Sequence, residues 1–354
     1  MQNLENLYEF SVDKITFTKR KSELIAENTI ITGPPRCGKT YLIFQFLTTL
    51  SPDSYLYIDL LDKRLNDDDF EELDDFLQKN EIKVLIIDNW YGHKITQLDI
   101  ITIYSGIDEY QLTDFKSITM HALTFQEYCD FESHHRGITQ QFNAYLRHGT
   151  LPEIVNFPLE TKAMFASRII DTIYDEGVKK ELFIYLLKQI GSKLTTHQIY
   201  TTLKQEIKIS KDKCYAYLKE LQEEKVVMMV AKENESRAAK KIYVYDFGLR
   251  DVVTFSKKFI SIIENVIFLE LFHQYDKIIY NNIFDFVIPE ASLGIVVMPF
   301  ASSSIINIDI ERYSKQKNIS KVRIITMSFE QTFEHENLDI KAMPFSTWAL
   351  SWHY

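Results

Sequence analysis

The chain is expected to open as an α/β fold, a parallel five-stranded sheet with helices on both faces. Three observations predict it. Five short apolar runs alternate with helical stretches over the first 123 residues, the pattern of a sheet buried on both sides. The octapeptide GPPRCGKT at 33–40 follows the first run directly. The third run ends on a carboxylate, Asp88.

The elements follow in order. Asn28-Thr29-Ile30-Ile31-Thr32 is β-branched and reads as the first strand. Residues 33–40 have the form GxxxxGK[ST], a phosphate-binding loop (P-loop). Gly33 and Gly38 let the backbone turn so that successive N–H groups and the next helix N-terminus face a phosphate. Gly33, Pro34, Pro35, Arg36, Cys37, Gly38, Lys39, Thr40 and Tyr41 are thus the expected nucleotide contacts. Lys39 is placed to reach the β/γ-phosphates of ATP and Thr40 to put its hydroxyl on Mg²⁺. Cys37, at a helix N-terminus, is either an oxidation-sensitive thiol or a plain loop residue. The run 41–47 is apolar enough to dock on a sheet. Residues 54–59 read as the second strand. The acidic run 67–75 has Phe70, Leu73 and Phe76 at helical spacing and is expected to be a solvated helix face. Residues 83–88 form the third strand, with Asp88 as the catalytic and metal-holding acid, the Walker B position. Residues 98–104 form the fourth, followed by Ser105 where a γ-phosphate sensor belongs, and 117–123 the fifth. Asn89 takes the place after Asp88 where many such enzymes carry Glu. An amide cannot accept a proton as a carboxylate does, so hydrolysis is expected to be slow or to use another acid, with binding acting as a switch.

A length of 354 residues predicts two or three domains, and 45% hydrophobic residues suffice for packed cores. The charged N-terminus and the short apolar runs point away from export and membrane insertion. Cys37, Cys129 and Cys214 are scattered, as expected in a reducing, cytoplasmic compartment without a metal cluster. The nine histidines show no HExxH or paired Cys/His spacing. The net charge is −10, yet Lys179–Lys241 holds 14 Lys/Arg against 8 Asp/Glu, a local +6 that leaves −16 elsewhere.

Several longer segments carry a family resemblance over nearly the whole chain. Leu123-Thr124-Phe125-Gln126-Glu127-Tyr128 is similar to an "LSFxEY" stretch, and residues 145–152, YLRHGTLP, to "YLxxGGxP". Residues 241–249, KIYVYDFGL, resemble "KIYxxDxGL", and 264–271, ENVIFLEL, match "ENxVFxEL". Together they resemble prokaryotic AAA-type ATP-binding proteins whose ATPase domain is fused to a C-terminal domain of unknown function. The resemblance implies a C-terminal part with a winged helix and a restriction-endonuclease-like fold. Two departures stand out: Asp88-Asn89 replaces "DE", and Phe115-Lys116 replaces a "GR" before the fifth strand. Lys is a point charge where Arg is a planar bidentate donor. Arg136 and Arg147 are either its substitutes or surface and lid residues.

The basic segment has helix-turn-helix character of its own. Residues 194–200 open one helix, Ser210 is placed to cap the next, Lys211–Leu221, and 226–230 and 242–245 read as wing strands. Lys211, Lys213 and Lys219 on that helix, with Arg237, Lys240 and Lys241 at the wing, are candidate DNA contacts. The same module can serve as a wedge for a protein partner. In the last third, Asp285 matches the first acid of a metal-dependent nuclease and Glu264 a helix acid, but Val296 and Met298 stand where Glu and Lys are expected. A nuclease-like scaffold without cutting activity is expected. The domains are accordingly 1–165, an ATPase domain with a small helical lid; 166–245, a winged helix; and 246–354, a degenerate restriction-endonuclease-like domain.

Overall fold

The computed structural model describes residues 2–90, 92, 100–106, 112, 114–132, 136–174 and 177–351. The chain divides into two compact units, Met1–Ala122 and Leu123–Tyr354.

The first unit holds α1 (Gln2–Tyr8), β1 (Thr29–Thr32), α2 (Lys39–Leu47), β2 (Tyr55–Asp59), α3 (Asp67–Glu71), α4 (Leu73–Lys79), β3 (Val84–Trp90), β4 (Ile101–Gly106) and β5 (Lys116–Thr119). The strands form one sheet in the order β2-β3-β4-β1-β5, every pair parallel. Successive side chains on a strand point to opposite faces, and the cores divide accordingly. Ile31, Tyr57, Ile86 and Ile103 pack with Leu42, Ile43 and Phe46 of α2. Ile30, Leu56, Ile58, Leu85, Ile87 and Tyr104 pack with Leu4 and with Leu73, Phe76 and Leu77 of α4. Each such side chain taken fully from water contributes about 1.5–3 kcal/mol, which is why continuous apolar runs mark these strands. The observed β4 ends on Gly106, two residues beyond the expected strand; Leu98 and Asp99 lie outside the described residues. The fifth strand ends at Thr119, short of the expected 123. The acidic run is two helices rather than one solvated face. Asp69 is buried, accepts from Asn66 N at 3.0 Å in a capping box, and takes Asn3 Nδ2 at 2.9 Å.

The second unit holds α5 (Phe125–Phe131), α6 (Ile138–His148), α7 (Leu159–Ile173), α8 (Val178–Lys188), β6 (Lys193–Leu194), α9 (Thr196–Glu206), α10 (Lys211–Glu223), β7 (Val227–Lys232) and β8 (Lys240–Val244). It continues with α11 (Phe259–Phe272), β9 (Ile279–Tyr280), β10 (Phe286–Ile288), β11 (Leu293–Val297), α12 (Ser303–Ser314), β12 (Lys321–Thr326), β13 (Gln331–Phe333), β14 (Asp339–Pro344) and α13 (Phe345–Ser351). Among the described residues its nine strands run β13-β14-β12-β11-β10-β9-β7-β8-β6. Ser210 caps α10 by accepting from Lys213 N at 3.3 Å, and Thr195 caps α9 by accepting from Gln198 N at 3.1 Å. The helices α5 and α6 pack inside this unit, Tyr145 edge-on to Phe247 and Phe125 against Phe345.

The resemblance-bearing segments meet here. Asp246, fully buried, accepts from Thr150 N at 2.7 Å, Leu151 N at 3.0 Å and Leu249 N at 2.9 Å. Gly149 has φ +89°, and a Cβ there would stand 2.5 Å from an Asp246 carboxylate oxygen. Only glycine lets these two segments close on one carboxylate. In the segment 264–271, Asn265 bonds both backbone groups of Val244, and Glu270 accepts from Phe125 N at 2.7 Å. These polar residues satisfy buried backbone, the condition for chain to cross a core.

Candidate functional site

The candidate nucleotide site sits at the C-terminal ends of the first unit's strands, where open α/β sheets bind ligands. The loop turns through two left-handed residues, Arg36 at φ 63° and Gly38 at φ 100°. At Gly33, φ 134°, a Cβ would stand 2.1 Å from the Met120 carbonyl, so any side chain would push the loop off the end of β5. Met120 N donates to Thr32 O at 2.8 Å and ties the same corner. The Lys39 ammonium donates to the carbonyls of Gly33 at 2.9 Å and Pro34 at 3.0 Å, across the mouth of its own loop.

Thr40 Oγ1 donates to Asp88 Oδ2 at 2.6 Å. Asp88 is 1% exposed, and its Oδ2 also accepts from Tyr57 OH at 3.0 Å. Burial, followed by the Asp88 charge, pushes the Tyr57 phenol above its ordinary range, so it remains a donor. Ser105 lies opposite Ile31 in the β1–β4 register, at the same end of the sheet as the loop. It is 1% exposed, and its hydroxyl has no hydrogen-bond partner among the described residues. A buried hydroxyl without a partner marks a place where a ligand or water belongs. The paired hydroxyl and carboxylate of Thr40 and Asp88, with this orphaned hydroxyl, are the hard-oxygen donors that fit Mg²⁺ and a phosphate chain.

Three features escaped the sequence reading. Arg20, 6% exposed, donates from Nη1 to Cys37 O at 2.5 Å and from Nη2 to His121 O at 3.0 Å. A trans peptide directs C=O and N–H oppositely, so holding the Cys37 carbonyl turns Gly38 N–H away from Arg20. Tyr57 is the second, already named. Asp59 is the third: β2–β3 register sets it beside Asp88, and its Oδ1 accepts from Asn89 Nδ2 at 2.8 Å. Asn89 has φ 57°, a conformation that Asn tolerates better than Glu. Its amide is therefore engaged sideways with Asp59.

Other expected residues fall variously. Cys37 is fully buried in the apolar cluster beneath the loop, the place of a plain loop residue, and Tyr41 is exposed. Lys116 sits opposite Thr29, the first residue of β1, whereas the loop follows the last. Roughly 10 Å of strand separates them, and Lys116 pairs instead with Glu27 at 2.8 Å. Arg136 and Arg147 line a cavity of about 490 Å³ in the second unit, where Arg136 faces Glu132 at 3.4 Å.

Lys211, Lys213, Lys219 and Arg237 are exposed and Lys240 is half-buried. Lys211 and Lys213 lie over the rings of Tyr215 and Tyr217, and Lys219 pairs with Glu223 at 3.1 Å. Lys241 corrects the expectation of a wing contact. It is 4% exposed, bonds Glu264 Oε1 at 2.5 Å and Asp285 Oδ1 at 3.0 Å, and cannot reach a surface ligand. Tyr243 OH also donates to Glu264 Oε1 at 2.7 Å. Burial disfavours the Lys241 charge, but the two carboxylates outweigh it and raise its pKa. Asp285 Oδ2 accepts from Val297 N at 2.9 Å. The two acids expected of a nuclease centre are thus tied to a lysine from another strand.

Loop, buried acid and sheet order define the first unit as a P-loop nucleotide-binding fold. Residues 26–113 match the family described as AAA domain. Over 91% of its length the chain is 22% identical to an uncharacterized protein of Methanocaldococcus jannaschii, 88% of which is covered. Among solved structures, the chain is similar to a Walker-type ATPase of Pyrococcus abyssi (TM-score 0.44, 14% identity, 64% of this chain and 90% of that one). It is also similar to the Orc1 protein of Aeropyrum pernix, solved in complex with DNA (TM-score 0.34, 10% identity, 64% and 86%). No helix among the described residues is long and apolar enough to cross a membrane.

Proposed function

We propose that this chain is an ATP-binding protein and a slow Mg²⁺-dependent ATPase of AAA type, whose nucleotide state is coupled to a winged-helix and nuclease-like C-terminal half. The observation that carries the reading is the 2.6 Å contact between Thr40 Oγ1 and Asp88 Oδ2 beside a complete phosphate loop. In this reading Thr40 and Asp88 hold Mg²⁺, the loop amides and Lys39 hold the phosphates, and Ser105 orients the terminal phosphate. The ion, when bound, supplies neutralisation of phosphate charge. With Asn89 turned to Asp59, the Asp59 carboxylate stands within hydrogen-bond reach of the place of the missing acid, and it serves as the alternative proton acceptor.

Capped α9 and α10 with the β7–β8 hairpin support a winged helix at 166–245; the nuclease-like part is then 246–354 and the ATPase domain with its lid 1–165, the lid helices α5 and α6 falling in the second compact unit. The exposed lysines of α10 and Arg237 make the DNA-facing surface. Binding there should weaken steeply between about 50 and 200 mM salt. The clamp of Lys241 on Glu264 and Asp285 supports a catalytically silent scaffold. A second reading, a nucleotide-binding switch that recruits DNA or a protein and does not hydrolyse, is favoured by the same Asn89–Asp59 contact. ATP turnover measured beside binding, with and without duplex DNA at matched salt, separates the two. Slow turnover that falls further in Asp59→Asn supports the ATPase; saturable binding without turnover supports the switch. Turnover in the common enzyme range of about 1–10³ s⁻¹ contradicts both.

A further inference from the structure

Tyr57 touches the carboxylate that the nucleotide reading assigns to the metal, and strand register puts it there. Tyr57 stands opposite Ile86 in the β2–β3 ladder, and Asp59 opposite Asp88. Asp88 therefore lies two residues beyond the partner of Tyr57, on the same face, a diagonal that a long aromatic side chain spans. The phenol donates to Asp88 Oδ2 at 3.0 Å, and both residues are buried. The Tyr57 ring is packed by its neighbours, stacked on Phe10 at 5.0 Å between centroids and edge-on to Phe44 at 5.5 Å. Its hydroxyl is thus fixed in place.

The acceptor sites of Asp88 then decide what this carboxylate does. Each carboxylate oxygen offers about two of them. Oδ2 takes Thr40 Oγ1 at 2.6 Å and Tyr57 OH at 3.0 Å and is filled. Oδ1 takes Asn89 N at 2.9 Å. A hydroxyl keeps its own lone pairs while its proton is donated, so Thr40 can hold a cation with its proton still on Asp88. A two-oxygen grip by the carboxylate itself is shut out. Mg²⁺ dehydrates reluctantly and keeps several waters, which suits a holder acting through a hydroxyl or water, whereas Ca²⁺ takes more oxygens and accepts carboxylates directly, with one oxygen or both.

We propose that Tyr57 is a positioning residue that sets the metal preference of this site: by occupying Oδ2 of Asp88 it fixes the carboxylate and favours Mg²⁺ over Ca²⁺ as the ion that accompanies ATP. The proposal rests on the Mg²⁺-nucleotide reading and deepens it. Removing the phenol oxygen opens one acceptor site on Oδ2. The carboxylate then gains freedom to turn and to meet the larger ion directly.

The test is calorimetric titration of ATP into the full chain with Mg²⁺, with Ca²⁺, and with a chelator in place of either ion. Tyr57→Phe keeps the ring against Phe10 and Phe44 and loses the hydroxyl alone. Its ATP affinity without metal should match wild type, while its ratio of Mg²⁺-supported to Ca²⁺-supported affinity should fall several-fold. Phe10→Leu loosens the same packing and leaves the hydroxyl, so its ratio should stay at the wild-type value. An unchanged ratio in Tyr57→Phe, or an equal fall in Phe10→Leu, overturns the proposal while ATP binding itself stands. A loss of metal-free ATP affinity in Tyr57→Phe as large as the loss with Mg²⁺ marks a structural effect and overturns it too. Wild type that binds no ATP with either ion removes the nucleotide reading instead, and this proposal falls with it.

Discussion

Replacing Arg20 with Met should cripple the phosphate loop from behind. The substitution removes the donors held by Cys37 O at 2.5 Å and His121 O at 3.0 Å. Hydrogen bonds from a charged donor are each worth about 1.5–3 kcal/mol, and buried carbonyls left without one keep their desolvation cost. Met restores some packing, which leaves an expected loss of about 3–5 kcal/mol. For a unit of this size that is a fall on the order of 10 °C in the unfolding midpoint. The Arg20 backbone is itself tied to α2, N–H to Gln45 Oε1 at 2.8 Å, so the chain path should survive while the Cys37–Gly38 peptide becomes free to rotate. ATP-induced stabilisation should therefore shrink more than the stability loss alone accounts for. Differential scanning calorimetry with and without ATP reads both quantities. A variant within about 1 kcal/mol of wild type, or one with an undiminished ATP response, refutes the reasoning.

Two further outcomes follow from the second unit. Asp246→Asn replaces one acceptor oxygen by an amide that faces backbone N–H groups of either Thr150 and Leu151 or Leu249; a loss of about 2–4 kcal/mol is expected in urea unfolding, and a neutral result contradicts the assigned role. Burial, then Lys162 and Arg136, lowers the His148 pKa below its ordinary 6.5. Between the folded value and 6.5 the unfolded chain holds more protons, so stability is complete above about pH 6.5 and declines as pH falls through that window. His148→Gln should flatten the decline in stability measured across pH 5–7, a window of about two units, and an unchanged slope removes His148 as its source.

Much of the first unit was readable because its strands are buried on both faces and their β-branched runs have few other uses. The loop announced itself through glycine spacing, and Ser210 through its place before a helix. Arg20 could not be read: it lies outside any strand or helix, and its partners are carbonyls, which leave no trace in side-chain pattern. Lys241 could have been. Neighbours on a strand face opposite ways, so Lys240 and Lys241 could not both meet one surface, and one of them had to find acids inside. Those acids, Glu264 and Asp285, sit 23 and 44 residues further along the chain, beyond the reach of local spacing. In the sequence Asn89 shows only as a missing base, because its left-handed backbone and its bond to Asp59 depend on strand register.

The central claim is that residues 33–40 with Asp88 hold Mg²⁺-ATP. Isothermal calorimetry of wild type and Lys39→Ala with ATP and Mg²⁺ tests it most directly. Saturable heat in wild type, lost in the variant and matched by about 2.7 kcal/mol of added stability at a hundredfold excess over the dissociation constant, is the expected result. Equal binding by both proteins, or none by folded wild type at millimolar ATP, contradicts it.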